Sequence, residues 1–173
     1  MKLSASATLI RCKKVTHPHN GSMKLTEELQ SVLLSVQAMD DRPELQLPHL
    51  YNALSLLHVT LGEGSWVGLY CSTGSELLLG PFQGTPACER IAFGKGVVGA
   101  CFSRGETIAV PDVHQFPGYI CCDEAAASEI CVPIKSGNKT LAILDIDLPY
   151  KYDYTEEISL FEKIANRLAS FIE

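Results

Sequence analysis

Two β-type runs near the C-terminus decide the fold: SEICVPI at residues 128–134 and TLAILDIDL at residues 140–148. Both are rich in β-branched and apolar residues, and both alternate between two faces. The sequence Ser-Gly-Asn-Lys at residues 136–139 separates them and is typical of a tight turn. The pair therefore predicts an antiparallel hairpin.

The alternation brings acidic residues onto an otherwise apolar face of this hairpin. Asp145 and Asp147 share a face with Ile143, and in the neighbouring run Glu129 shares a face with Cys131. Three close carboxyls repel one another, so at least one should keep its proton unless a cation compensates. Such a cluster could bind a ligand ammonium or donate a proton to a polar oxygen. The alternative is a solvated face whose acids only favour solubility.

Upstream of the hairpin, two helices precede any strand. Thr26 reads as the N-cap of the first helix, and the second starts near Pro48 and ends at Gly62-Glu63-Gly64. Three short β-type runs follow and predict an antiparallel meander. They lie at residues 65–71, 75–82 and 87–93.

The rest of the chain completes an ααβββαβββα order. A glycine-rich segment at residues 94–101 leads into a short helix, and a strand at residues 106–110 precedes a long loop at residues 112–127. Thr155 reads as the cap of a final helix. This order predicts an α+β, GAF-like antiparallel sheet with the terminal helices packed on one face and a loop-covered ligand pocket on the other.

Length and composition exclude several classes of protein. The chain has 173 residues, of which 46% are hydrophobic, and this suits a single domain over residues 24–173 after an N-terminal tail at residues 1–23. The tail is expected to be flexible, although its basic, Ser-rich composition also faintly resembles a transit peptide. The net charge of −6 and the lack of a long basic stretch argue against nucleic acid. No apolar run is long enough to span a membrane.

The cysteines point to a reducing compartment. Seven is an odd number and too few for a disulfide scaffold, which favours the cytoplasm, and no metal-ligand spacing occurs. Cys12, Cys71, Cys101 and Cys131 read as small buried hydrophobes. Cys122 lies in the long loop instead, and it could act as a nucleophile if it lines a pocket, with a second cysteine resolving the oxidised intermediate.

Trp66 and Tyr70 are four residues apart and share one face of the first strand. Core packing is the ordinary interpretation of such a pair. An aromatic wall against an apolar or sulfur-bearing ligand group is the alternative.

Together these stretches resemble one family of enzymes. GPFQG at residues 80–84, ACERI at 87–91, PDVHQFPGYICCD at 111–123 and LDID at 144–147 join SEICVPI in this resemblance. The family is the free methionine-(R)-sulfoxide reductases, which have a GAF fold, and the similarity covers about residues 24–173.

The resemblance implies a set of roles. Cys122 would be the nucleophile, becoming a sulfenic acid, and Cys88 would resolve it as a disulfide that a thioredoxin-like protein reduces. Glu129 and Asp147 would be candidates for proton donation to the sulfoxide oxygen. The implied substrate pocket consists of Trp66, Tyr70, Glu129, Asp145 and Asp147.

The resemblance also sets further expectations. Neither a metal nor an organic cofactor is needed, and because the family often forms dimers a homodimer is possible. The chain departs from many members at Val98, where a third cysteine is common, so no relay through that position is possible. Two other functions remain open from the sequence: a GAF-type sensory module that binds a small ligand, and a redox sensor that uses Cys88 and Cys122 as a reversible switch.

Overall fold

The computed structural model describes residues 22–172, with the surroundings of side chains described from Leu25 onward. Residues 1–21 of the predicted tail lie outside the described residues. The described elements follow the predicted order. They are α1 (Ser22–Gln37), α2 (Gln46–Leu61), β1 (Trp66–Ser72), β2 (Leu77–Gln83), β3 (Arg90–Ile91), α3 (Gly96–Arg104), β4 (Ile108–Val110), β5 (Ser128–Ser136), β6 (Lys139–Leu148) and α4 (Ile158–Leu168).

The six strands form one antiparallel sheet in the order β3-β2-β1-β6-β5-β4. The predicted meander of β1 to β3 and the predicted hairpin of β5 and β6 are both confirmed. The hairpin closes where Ser136 pairs with Lys139. β3 is shorter than predicted and holds only Arg90–Ile91. Pro86 lacks an N–H for a strand ladder, and Gly94 adopts a φ of 75°, so extended pairing stops on both sides.

One face of the sheet packs against α1, α2 and α4. The alternate residues of the β5–β6 hairpin that face these helices form one apolar core with them. They are Ile130, Val132, Ile134, Ala142, Leu144, Ile146 and Leu148. The prediction that the terminal helices share one face of the sheet is therefore confirmed.

Two predicted helix caps are wrong. α1 already begins at Ser22, and Thr26 lies inside it, where its Oγ1 donates a hydrogen bond to Oε1 of the buried Glu157 at 2.8 Å. At the C-terminal helix, the side chain of Asp153 accepts a hydrogen bond from the Thr155 N–H and so caps a short 3-10 turn that precedes α4. In both places the threonine that the local sequence pattern predicts as a helix cap forms a hydrogen bond to another acidic residue instead.

The second helix begins slightly before the predicted position. A 3-10 turn at Pro43–Leu45 leads into α2 at Gln46, so that Pro48 lies in the first turn of the helix, where its missing N–H has no intrahelical acceptor. None of the helices in residues 22–172 is long and apolar enough to cross a membrane.

The opposite face of the sheet carries α3 and the long loop that follows β4. α3 packs on β5 and β6, and its buried residues join a second apolar cluster with this face of the strands. The loop is anchored near its two ends, because the Val113 N–H donates to the Ala127 carbonyl and the Ala127 N–H donates to the Leu148 carbonyl. This face of the sheet is where the predicted site residues lie.

Candidate active site

The register of the three central strands brings the predicted polar residues together. Trp66 of β1 pairs with Asp147 of β6, and Asp147 pairs in turn with Glu129 of β5. Directly paired residues of neighbouring strands point to the same face of a sheet. These three side chains therefore form one row across the floor of the site.

A second row lies two residues further along each strand. Gly68 pairs with Asp145, and Asp145 pairs with Cys131. The Sγ atom of Cys131 lies 3.0 Å from Oε1 of Glu129 and 3.3 Å from Oδ1 of Asp145. The thiol thus joins carboxyls from both rows.

The three carboxyls are not on a solvated face. Glu129 and Asp145 are each only 4% exposed, and Asp147 is partly buried. Desolvation disfavours the charged form of a carboxyl, and nearby like charges add to that effect. The interpretation of these acids as solubilising surface groups is therefore wrong.

Burial and mutual repulsion change how the cluster titrates. Burial, together with the charge of Asp147, raises the pKa of Glu129 to about 8. Burial and the charge of Glu129 raise the pKa of Asp145 well above its ordinary range, and burial with Asp145 does the same for the pKa of Asp147. At neutral pH the cluster therefore holds protons that an exposed cluster would have lost.

Aromatic side chains form one wall beside the carboxyls. The rings of Trp66 and Tyr70 stack with centroids 6.1 Å apart, and the ring of Phe82 also stacks with Trp66, with centroids 5.5 Å apart. The Trp66 Nε1–H donates to the Thr85 carbonyl at 2.9 Å, which fixes the indole plane. Gly68 allows this arrangement, since a Cβ there would come within 2.3 Å of the indole.

A disulfide joins Cys88 to Cys122, with the two Cα atoms 5.3 Å apart and a sequence separation of 34. Cys88 lies in the loop between β2 and β3, and Cys122 lies in the long loop before β5. The hydroxyl of Tyr70 donates to the Cys88 carbonyl at 3.0 Å, so the aromatic wall also supports the loop that carries Cys88.

A cavity lies between this disulfide and the floor. All five residues of the predicted pocket line it, and so does Cys122. Other lining residues come from the first turn of α3 and from the long loop, which forms a roof. The lining consists of Trp66, Tyr70, Ala87, Ile91, Lys95, Gly96, Val97, Val98, Tyr119, Ile120, Cys122, Asp123, Glu129, Asp145 and Asp147.

The remaining described cysteines differ in their surroundings. Cys101 and Cys131 are buried, as predicted, whereas Cys71 is only half-buried and Cys121 is exposed. Cys12 lies outside the described residues. Burial and the charge of Asp145 raise the pKa of Cys101 to about 12. Cys131 is more than a buried hydrophobe, because its thiol contacts two carboxyls.

Sequence reasoning missed several residues of the site. Lys95 and Tyr119 line the cavity, and Thr85 donates a hydrogen bond to Asp123 beside Cys122. These residues lie in loops, where no periodicity fixes which way a side chain points. For Cys131 the signal was present, since strand alternation already placed it on the face of Glu129.

Comparison with known proteins agrees with this geometry. The family model described as GAF domain matches residues 50–173. The free methionine-R-sulfoxide reductase of Saccharomyces cerevisiae is 41% identical over 157 residues, covering 85% of this chain and 87% of the yeast protein. The chain belongs to the free methionine-R-sulfoxide reductase family of GAF domain proteins.

Solved structures of this family show the same architecture. The free methionine-R-sulfoxide reductase from Neisseria meningitidis in complex with its substrate is 30% identical, with a TM-score of 0.74 over 91% of this chain and 95% of that one. The fRMsr of Staphylococcus aureus in complex with substrate is 34% identical, with a TM-score of 0.72 over 92% and 99% of the two chains. The predicted resemblance and the predicted GAF-like α+β fold are confirmed.

Proposed function

We propose that this protein reduces free methionine-(R)-sulfoxide to methionine by cysteine sulfenic acid and disulfide chemistry, and that residues 24–173 form its one catalytic domain. The observation that carries the proposal is the Cys88–Cys122 disulfide beside a cavity whose floor holds two buried carboxyls and one partly buried carboxyl. A redox-active cysteine pair and groups that retain protons are what sulfoxide reduction requires. The family relationship points to the same reaction.

The first step uses Cys122 and one carboxylic acid. In the reduced protein the Cys122 thiolate attacks the sulfoxide sulfur, while Glu129 or Asp147 donates a proton to the sulfoxide oxygen. This attack forms a bond between Cys122 Sγ and the substrate sulfur. That bond and the S–O bond then break as the protonated oxygen passes to Cys122, which becomes a sulfenic acid. Methionine leaves with its sulfur reduced by two electrons. The raised pKa values of both carboxyls support this role, because a carboxylate that is already ionised has no proton to give.

The second step forms the disulfide. The Cys88 thiol attacks the Cys122 sulfenic acid, the new S–S bond forms, and the oxygen leaves as water. The Cα separation of 5.3 Å between the two residues is within the ordinary range for a disulfide, so resolution needs no large movement of the loops. A thioredoxin-like dithiol then returns both cysteines to thiols and is itself oxidised to a disulfide.

The pocket is suited to a free amino acid. The carboxyls of Glu129, Asp145 and Asp147 would hold the substrate ammonium, and a peptide-linked methionine lacks that charge. Trp66 would contact the S-methyl group, since sulfur and its substituents pack well on aromatic rings. The loop residues Tyr119 and Ile120 line the cavity and would hinder a polypeptide on either side of the methionine.

The deciding experiment follows NADPH consumption with thioredoxin, thioredoxin reductase and the sulfoxide. We expect activity with free methionine-(R)-sulfoxide, and none with the S epimer or with N-acetyl-methionine sulfoxide. A matched assay with dithiothreitol separates the reaction from its reductant. Activity with dithiothreitol alone would reject the thioredoxin-like partner and keep the reaction, and no activity with either would overturn the proposal in favour of a redox sensor.

A further inference from the structure

A second kind of chemistry is built into the two strands beneath the cavity, where Glu129 and Asp145 line the cavity and Cys131 is buried between them. One ligand atom from each of Glu129, Cys131 and Asp145 lies within 4.8 Å of the other two, and all three residues are buried. The donors come from two paired strands, so the sheet holds them in place without a loop. This is a set of one sulfur and two oxygen donors on a rigid support.

The spacing of these donors suits a small tetrahedral cation. Zinc binds thiolate sulfur at about 2.3 Å and carboxylate oxygen at about 2.0–2.2 Å, which places neighbouring donors roughly 3–4 Å apart. The measured separations are 3.0 Å between Cys131 Sγ and Glu129 Oε1 and 3.3 Å between Cys131 Sγ and Asp145 Oδ1. Magnesium and calcium take only oxygen donors at a higher coordination number, so the thiol selects against them.

The carboxyl of Asp147 is a further oxygen donor that a cation at this site could use. Asp147 pairs with Glu129 in the sheet and lines the cavity, and its side-chain carboxyl makes no hydrogen bond to any of residues 22–172. Glu129 and Asp145 are buried on the neighbouring positions of the same two strands, so a bound cation would offset the negative charge that gathers when these carboxyls ionise.

We propose that Glu129, Cys131 and Asp145 form a binding site for a thiophilic divalent cation of the zinc type, with Asp147 or water as the fourth ligand. Binding displaces the thiol proton of Cys131 and the protons that the carboxyls hold, and no redox change takes place. The cavity is the path by which the ion enters.

The site has a regulatory consequence that rests on the proposed function. The ion would occupy the carboxyls to which we assign the substrate ammonium, so zinc and free methionine sulfoxide would exclude one another. Reductase activity would then fall as free zinc rises, and added substrate would restore it. The ion would act as a competitive inhibitor and take no part in the reaction.

Cobalt(II) titration of the disulfide form tests the site directly. In that form Cys88 and Cys122 cannot act as ligands, and a thiolate bound to cobalt gives a charge-transfer absorption band that oxygen ligands do not give. We expect the band in the wild-type protein and in Cys121→Ser, the control for the exposed thiol, and we expect it to be absent in Cys131→Val. A thermal melt confirms that each variant is folded. No band in the wild type, or a band that survives in Cys131→Val, overturns the proposal.

Zinc affinity and inhibition provide the second measurement. Calorimetry on the disulfide form should show zinc binding at least about tenfold weaker in Cys131→Val than in wild type, because loss of a ligand costs more than the loss of an outer contact. In the reductase assay with dithiothreitol, zinc should raise KM with kcat unchanged. Binding without reductase activity would overturn the proposed function alone, and activity without any zinc binding would overturn the metal site alone.

Discussion

Thr85 and Asp123 are joined by a hydrogen bond of 2.7 Å from the threonine Oγ1 to the carboxylate Oδ2. Thr85 lies three residues before Cys88, and Asp123 directly follows Cys122, so this bond ties together the two loops that carry the disulfide. Asp123 also accepts a hydrogen bond from the Ala125 N–H at 2.8 Å, which holds the carboxylate in place. We therefore expect the approach of Cys88 Sγ to Cys122 Sγ to depend on the Thr85–Asp123 hydrogen bond as well as on the cysteines themselves.

Replacing this threonine should slow resolution more than sulfoxide reduction. In Thr85→Val the loops lose one hydrogen bond to a charged group, worth about 1 kcal/mol at a solvent-accessible position, and disulfide formation should slow about fivefold. Rapid-quench measurement of methionine release and of thiol loss separates the two steps. Thr107→Val is a matched control, because Thr107 donates to Glu162 at 2.7 Å outside the cavity lining. Equal slowing of both steps would contradict the positioning role.

The two cysteines should fail at different steps. Cys122→Ser should abolish turnover, because no sulfur remains to attack the sulfoxide. Cys88→Ser should release about one methionine per enzyme and then stop, because the sulfenic acid has no partner. Methionine release in a single turnover, with trapping of the sulfenic acid by dimedone, distinguishes the two variants. Continued cycling of Cys88→Ser with thioredoxin would show that another thiol resolves the intermediate.

Asp145→Asn should weaken substrate binding. The substitution removes a carboxyl that would ionise beside the substrate ammonium and keeps nearly the same shape, so KM should rise and kcat should change little if Asp145 holds the ammonium. Steady-state kinetics with free methionine-(R)-sulfoxide measure both constants. Asp112→Asn is a suitable control, because Asp112 pairs with Lys151 and does not line the cavity. A lower kcat with an unchanged KM would instead assign Asp145 to proton transfer.

The rate of the first step should fall as pH rises through about 8. The pKa of Glu129 is raised to about 8, so its carboxyl is protonated below that pH and can donate, whereas above it the carboxylate cannot. Single-turnover methionine release should be recorded from pH 6 to 10 with a chelator present. The rate should fall on the alkaline side in the wild-type protein, and Glu129→Gln should lack this alkaline fall. A fall in rate at the same pH in Glu129→Gln would assign the proton-donor role to Asp147.

Protonation of Glu129 also affects stability. Its pKa is higher in the folded protein than in the unfolded chain, so the folded state binds the proton more tightly. Stability from this group is complete below the unfolded value of about 4.5 and is lost as pH rises through about 8. Urea unfolding at pH 6 and pH 9 should show a smaller loss of stability with pH in Glu129→Gln than in wild type. An equal loss in both proteins would show that Glu129 is not buried in its protonated form.

Much of the site was predictable because it is built on strands. A period of two fixes which side of a strand faces a neighbour, so Glu129, Asp145 and Asp147 could be placed together before any coordinates were known. The burial of these acids could not be predicted, since it depends on α3 and on the loop that covers them. The alternation of residues along the strands alone is equally compatible with a solvent-exposed face.

Loops and caps were harder to predict for a physical reason. The contact between Thr85 and Asp123 spans 38 residues of sequence, and no local pattern carries it. Thr26 failed as a predicted cap because its hydroxyl instead bonds to Glu157, 131 residues away. The donors of the proposed metal site likewise come from two strands and not from a short cysteine motif, so ligand spacing along the chain does not indicate them.

In the proposed cycle, formation of the Cys88–Cys122 disulfide also changes the stability of the protein. A cross-link across 34 residues stabilises a fold by about 4 kcal/mol through restriction of the unfolded chain. The protein would thus alternate between a more stable disulfide form and a less stable dithiol form at every turnover. When the reductant is scarce, the disulfide form would accumulate. The oxidised protein that awaits reduction would therefore be the form more resistant to heat and proteolysis.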